Sequence, residues 1–145
     1  MKIHLLKCWP EFIIQIKNLR KPFEIRNLDR NYVVSDWIHD QEYFPNAEIG
    51  GRSPGRFGDL HVFAPITCIV PLGNVPGLPK LFPSVVDFRV SGGRLKTSEE
   101  LLNNFGVIGL DMHKIQFVHG DEAAQAIERR IYSGELTSSI KGGGE

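Results

Sequence analysis

Lys21, Glu24 and Arg26 stand close together in the stretch RKPFEIRNLDR, residues 20–30. In an extended chain alternate side chains share a face, so Glu24 and Arg26 point the same way, about 7 Å apart. Two kinds of chemistry suit this trio. Lys21 and Arg26 can clamp phosphate while Glu24 accepts from a base amino group. Alternatively, Lys21 and Glu24 can act as a general acid/base pair. The plainest alternative is a solvated ion pair on a strand face, worth about 0–1 kcal/mol.

Arg30, Arg52 and Arg56 could extend a phosphate track along one side, or be ordinary loop charges. Trp37 and Tyr43 are candidate platforms for stacking a base, as single-strand binders use. Tyr32 is a further candidate, while Trp9 belongs to the apolar face of a helix. His39, His61, His113 and His119 lack the i, i+4 spacing of a helical zinc pair. Asp111, His113 and His119 are a weaker alternative, and neither a metal nor a cofactor is expected. Cys8 reads as a buried apolar thiol without a neighbouring histidine. The chain has no Walker A loop, G-x-S-x-G elbow or G-x-G-x-x-G.

The 145 residues, 41% hydrophobic and 23% charged, fit one α+β domain that can bury roughly 70% of its unfolded surface. Seventeen basic and seventeen acidic residues cancel, so no global field draws the chain to nucleic acid or membrane. The first 30 residues, however, carry seven Lys/Arg against three Asp/Glu. Cys8 and Cys68 lie sixty residues apart with no C-x-x-C, which favours neither a disulfide nor a zinc site and fits a reducing cytoplasm. No apolar run approaches the roughly 20 residues of a membrane span.

KIHLLK reads as a first strand. Trp9, Phe12, Ile13, Ile16 and Leu19 then follow helical spacing, with Pro10 at the first helical position and basic residues at the end. Pro22 stops this helix and turns the chain into the strand FEIR, whose Phe23 and Ile25 are expected in the core and Glu24 and Arg26 outside. YVVSDWIHDQEYF reads as a further strand or hairpin arm, and residues 45–58 as a loop. DLHVFAPITCIV is a long strand in which Pro65 implies an edge or a bulge. Residues 71–104 form a proline-rich insert that ends in a short helix opened by the capping box Thr97/Glu100. GVIGLD and KIQFV are closing strands, and Asp121 is expected to cap a last helix carrying Ala124, Ile127 and Ile131 on one face. These elements amount to a small mixed β-barrel with an early helix packed on it and a C-terminal helix. The domain is expected over residues 1–133, with 134–145 a disordered tail.

HLLKCWPEF, RKPFEIRNLDRNYVVSD and FGVIGLD together resemble the ASCH superfamily of PUA-like β-barrels, and within it a small prokaryotic and phage-borne family. Its pattern, H-x-L-K-x-W-P, G-x-K-x-F-E-x-R and N-D-R-x-[FY]-x-V-G-D, runs in order through residues 4–36. Leu19 and Ser35 stand where that pattern has glycine, and Leu28 where it usually has Asn. Both glycine losses remove easy access to positive φ, so differently shaped turns are expected. The resemblance implies a cleft beside the first helix and the FEIR strand that recognises RNA or a nucleotide. One branch of the superfamily resembles an amidohydrolase acting on N-acetylated cytidine through a Lys, a Thr and a Glu. Lys21 matches its Lys, but Glu24 occupies the place of the Thr nucleophile, and a carboxylate is not a hydroxyl nucleophile. The leading expectation is therefore RNA or nucleotide binding by Lys21, Glu24, Arg26, Arg30, Arg52, Arg56, Trp37 and Tyr43. The alternatives are a small hydrolase of such an amide or of RNA using Lys21 and Glu24, and a phage-type module whose insert and last helix grip a host protein.

Overall fold

The computed structural model describes residues 1–45, 55–79, 88–89, 95–96 and 98–136. Chain order is β1 (Ile3–Cys8), α1 (Pro10–Lys17), β2 (Phe23–Asn27), β3 (Trp37–Phe44), β4 (Arg56–Pro71) and a 3-10 turn (Leu72–Asn74). There follow β5 (Phe88–Arg89), β6 (Leu95–Lys96), α2 (Ser98–Asn104), β7 (Phe105–Leu110), β8 (Gln116–His119) and α3 (Asp121–Tyr132). The fold is α+β. Its main sheet runs β1-β3-β4-β7-β2, with β8 also paired to β4, while β5 and β6 form a separate small ladder. β1 and β3 are parallel and the other pairs antiparallel.

The ends of this path, β1 and β2, do not pair with each other among the described residues. The barrel expected from the element order is thus not closed by hydrogen bonds, and a seam separates its two edges. β4 makes the sheet curl. Its first part lies between β3 and β8 and its last part beside β7. Pro65 sits fully buried at the change of partner, with a register shift just beyond it, between Ile66 and Cys68. A proline in this interior strand is tolerated because the ladder is interrupted there anyway.

β3 is buried on both faces. Ile38 packs with Leu6, Cys8 and the α1 residues Ile13 and Ile16. Trp37 lies on the opposite face with Phe63 and the α3 residues Ala124, Ile127 and Ile131. A third cluster, Leu72, Leu101 and Phe105, seats α2. The α3 stripe read from the sequence is therefore packed on the sheet.

α1 is shorter than its periodicity suggests. Ile13 and Ile16 are buried, but Phe12 and Leu19 are exposed, and the helix ends at Lys17. Its end is a Schellman motif: Leu19 N–H donates to Ile16 O and Arg20 N–H to Gln15 O, with Leu19 at φ 61°. Ser35 likewise has φ 77°, in a turn closed by Asp36 N–H to Val33 O. The positive φ that glycine would provide is thus kept at both positions, and the expectation of reshaped turns is corrected. α3 differs at its start: its N-cap is Gly120 at φ 94°, and Asp121 is the first helical residue. Leu136, placed in the tail by the sequence, packs against the α3 core, whereas residues 137–145 lie outside the described region. The Thr97 half of the expected capping box also lies outside it.

The largest correction concerns β2. Its period of two is as expected, but the faces are reversed: Glu24 is 2% exposed, while Phe23 and Ile25 are 37% and 51% exposed. Register explains the reversal. Leu28 shares the inward face of Glu24 and Arg26 and rests on Gly106 of β7, where a Cβ would come within 2.7 Å of it. Pro22 O and Leu28 N–H extend the ladder to Leu110 and Asn104 at either end. A one-residue slip would turn Leu28 out and lose this seat.

Candidate functional site

Turned inward, the β2 charges meet β1 and β3 across the seam. Arg26 donates from Nε to Glu24 Oε2 at 3.4 Å and from Nη2 to Glu24 Oε1 at 3.3 Å, and Nη2 also reaches Asp40 Oδ1 at 3.3 Å. Cys8 Sγ donates to Glu24 Oε1 at 3.9 Å. Asp40 is fully buried, so two carboxyls and one guanidinium share a space largely without water. A single cation does not balance two buried anions, and the remedy is one retained proton. Burial pushes the Asp40 carboxyl well above its ordinary range, and the negative charge of Glu24 pushes it further. Burial opposes ionisation of Glu24 too, but Arg26 and a hydrogen bond from Asp40 hold Glu24 below the usual range. Asp40 Oδ2 has no hydrogen-bond partner among the described residues, which fits a proton retained on this carboxyl beside Glu24.

Burial and the neighbouring carboxylates drive the Cys8 thiol upward, so it is a buried thiol and not a poised nucleophile. Cys8, Glu24 and Asp40 present ligand atoms within 4.8 Å of one another, a spacing that would suit a metal ion. Arg26 already supplies the positive charge beside both carboxylates, and a second cation would be repelled by it. Asp111, His113 and His119 form no such group among the described residues. Asp111 instead accepts from the His113 backbone N–H at 3.0 Å.

The outer side of Arg26 faces a pocket of about 370 Å³ on the seam, lined by Leu5, Leu6, Lys7, Arg26, Arg30 and Phe57. Arg30 spans the gap directly, donating from Nη1 to Leu5 O on the unpaired edge of β1 at 2.8 Å. Tyr43 belongs to the far rim: Lys7 Nζ lies 4.6 Å from its ring centroid, and Phe57 meets it edge-on at 5.2 Å. Lys21 is near enough for its charge to favour the ionised form of Glu24. Its Nζ is 4.5 Å from the Phe12 ring and 5.7 Å from Phe23, and Trp9 stacks on Phe12 at 6.2 Å.

The structure thus gathers Lys21, Glu24, Arg26 and Arg30 along one seam, with Tyr43 at its rim. Arg56 is not with them. It alternates with Phe57 along β4 and lies over Phe44, its cross-strand partner. Trp37, expected to stack a base, is 1% exposed and belongs to the α3 core. Arg52 lies outside the described residues. Asp40, Lys7 and Phe57 were not anticipated. The fully buried run Trp37–Asp40 in a strand enclosed on both faces is the signal that Asp40 needs compensation.

Other residues of the N-terminal motif hold this arrangement together. Asp36 is buried and accepts from Lys2 N–H at 2.9 Å and Val33 N–H at 3.2 Å, and pairs with His4 Nε2 at 2.8 Å. Tyr32 packs on the His4 ring. His4, Tyr32 and Asp36 therefore fix the turn before β3 against β1.

Residues 3–57 match a family model described as a domain of unknown function (DUF3850). The match spans β1 to the first residues of β4, and so contains Cys8, Glu24, Arg26, Arg30 and Asp40. No curated protein matches the chain. No helix among the described residues is long and apolar enough to cross a membrane.

Proposed function

We propose that the seam between β1 and β2 binds RNA or a nucleotide, Arg26 and Arg30 taking phosphate and Phe57 with Tyr43 taking a base. The observation that carries this reading is the fixing of Arg26. Glu24 and Asp40 hold its guanidinium from within, while its outer side lines a pocket shared with Lys7, Arg30 and Phe57. An arginine held in place loses little side-chain freedom when it meets an anion, and its planar fork suits phosphate oxygens. Lys7 and Arg30 add charge of the same sign, and Phe57, half exposed, offers a ring for stacking. Lys21, with Phe12 and Trp9, supplies a second cation-and-ring surface for an adjoining nucleotide. The resemblance of residues 4–36 to the ASCH superfamily points the same way.

Binding is favoured over hydrolysis by the place of Glu24. It lies beneath Arg26, almost without exposure, and the only thiol beside it is held protonated. Glu24 and Cys8 are both buried, so neither presents a reactive atom at the surface.

The test is fluorescence anisotropy with short labelled single-stranded RNA and with mononucleotides across a salt series. Affinity is expected to fall with salt, and Lys7→Ala and Arg30→Ala are each expected to reduce the logarithmic slope by about 0.7. Absence of binding to any oligonucleotide or nucleotide at low salt removes the proposal. Chromatography of the same mixtures, and of mixtures with N-acetylated cytidine, reads hydrolysis directly, and product formation there would favour the amidohydrolase or nuclease alternative.

A further inference from the structure

On the opposite face of β3 and β4, beneath α3, a second polar chain has no part in the seam. Glu128 Oε1 lies 2.8 Å from His39 Nδ1, His39 Nε2 lies 2.8 Å from His61 Nδ1, and His61 Nε2 lies 3.1 Å from Asp121 Oδ1. Both histidines are buried, and His39 stacks on Phe63 at 4.1 Å. Both ends of the chain are α3 carboxylates, so it ties the helix to the sheet at two points.

Hydrogen counting gives this chain a definite property. Three contacts need three hydrogens. Two neutral imidazoles supply one each, and two ionised carboxylates supply none. All three contacts are made only when the histidine pair takes up one extra proton. Without it, one contact lacks a hydrogen: a bare nitrogen faces a carboxylate, or two bare nitrogens face each other between His39 and His61. The contact that yields is His61–Asp121, since it is the longest and the Asp121 side chain is 81% exposed and free to turn away. The extra proton belongs to the His39–His61 pair as a unit, one hydrogen lying between the two rings.

We propose that Glu128, His39, His61 and Asp121 form a one-proton latch on the first turn of α3. It is closed when the histidine pair carries the extra proton and His61 Nε2 donates to Asp121, and open when the pair is neutral and His61 donates only to His39. Asp121 is the first residue of the helix and follows Gly120, the N-cap, at φ 94°. Gln41 Nε2, at 3.5 Å, is the other donor facing Asp121. The charged groups facing the histidines are Glu128 and Asp121 from α3. At the adjoining edge of β4 and β8, His119 and Asp59 are paired at 3.6 Å, both well exposed, and serve as an independent control.

The 145-residue chain is followed from about pH 5.5 to about pH 8.5, the span over which a histidine switch operates. Imidazole nitrogen NMR reads the protonation and tautomer of His61, and hydrogen exchange, corrected for intrinsic rates, reads the amides of Ala124 and Gln125, the first with an acceptor in the helix. The Nε2 of His61 is expected to pass from protonated to bare, leaving the ring in its Nδ1–H form. Over the same interval, exchange in the first turn of α3 is expected to rise about tenfold, as loss of one hydrogen bond to a charged group implies, while the last turn is unchanged. Asp121→Asn, a change at an exposed side chain, places an amide that can donate to neutral His61, and is expected to abolish the step. His119→Gln is expected to keep it. The proposal is overturned by a neutral His61 carrying its hydrogen on Nε2, by flat exchange across the range, or by an unaltered step in Asp121→Asn.

Discussion

Glu24 and Asp40 belong to strands that exchange no backbone hydrogen bond, and one nitrogen of Arg26, Nη2, lies 3.3 Å from a carboxyl oxygen of each. The pair closes by side chains what the sheet leaves open. It also makes the seam titratable, and the sign of the effect is fixed by which partner keeps the proton.

Asp40 retains in the fold a proton that it would release near 3.8 when unfolded. Its contribution is present at low pH and is lost as pH rises from there toward its folded value. Glu24 acts oppositely: its contribution is present above 4.5 and is lost as pH falls through its lowered folded value. Asp40→Asn keeps a carbonyl for Arg26 and a donor for Glu24 but cannot ionise. Thermal melts from about pH 5 to about pH 8, where Glu24 is ionised, are expected to show a flatter pH dependence for this variant and a smaller deficit, or a gain, at the upper end. An unchanged dependence would mean that Asp40 is ionised in the fold.

Shared charge also predicts non-additivity. In Glu24→Gln, Asp40 can ionise and hold Arg26; in Asp40→Asn, Glu24 still does. The double variant leaves a half-buried guanidinium with no anion. Urea unfolding is expected to show a double loss exceeding the sum of the single losses by about 1–3 kcal/mol. Additivity within about 0.5 kcal/mol would show that the two carboxyls act separately.

The element order was legible because periodicity and breakers determine it: α1 follows Pro10, α2 and the closing strands fall where their patterns lie, and β2 alternates with the right period. What alternation does not carry is its sign. Phe23 and Ile25 read as the buried face because apolar side chains usually are, yet their burial competes with Leu28 on Gly106 and with Arg26 neutralising Glu24. Both of those partners depend on strands distant in sequence. The histidine latch was hidden for the same reason. His39 and His61 lie on paired strands but 22 residues apart, and no local spacing announces them. Trp37 was misplaced because aromatic residues serve cores and stacking surfaces alike, and only the docking of α3 decides between the two.

That last point has a direct test. Trp37→Ala removes the largest side chain of the α3 core and is expected to cost about 3–5 kcal/mol, with RNA affinity preserved when measured well below the melting transition. Tyr43→Ala, at the pocket rim, is expected to do the reverse, weakening RNA binding while changing stability little. Equal effects of the two substitutions on affinity would put Trp37 back among the binding residues.

Leu19 and Ser35 offer a gain in stability. Leu19 occupies the C′ position of the Schellman motif that ends α1, and Ser35 the third position of the turn before β3, both at positive φ. The left-handed region costs a residue with a Cβ about 1–2 kcal/mol, because the Cβ crowds the following carbonyl. Glycine removes that cost and returns part of it, about 0.5–1 kcal/mol, through the greater freedom of the unfolded chain. Leu19 is largely exposed, so its loss empties no core site. Leu19→Gly and Ser35→Gly are therefore each expected to stabilise by about 0.5–1 kcal/mol in urea unfolding. The two sites lie on different turns, so the effects are expected to add in the double variant. Leu19→Ala is the control, since alanine keeps the Cβ and should gain nothing. A gain from alanine equal to that from glycine would trace the effect to removal of an exposed leucine, and the backbone account of these two turns would fail.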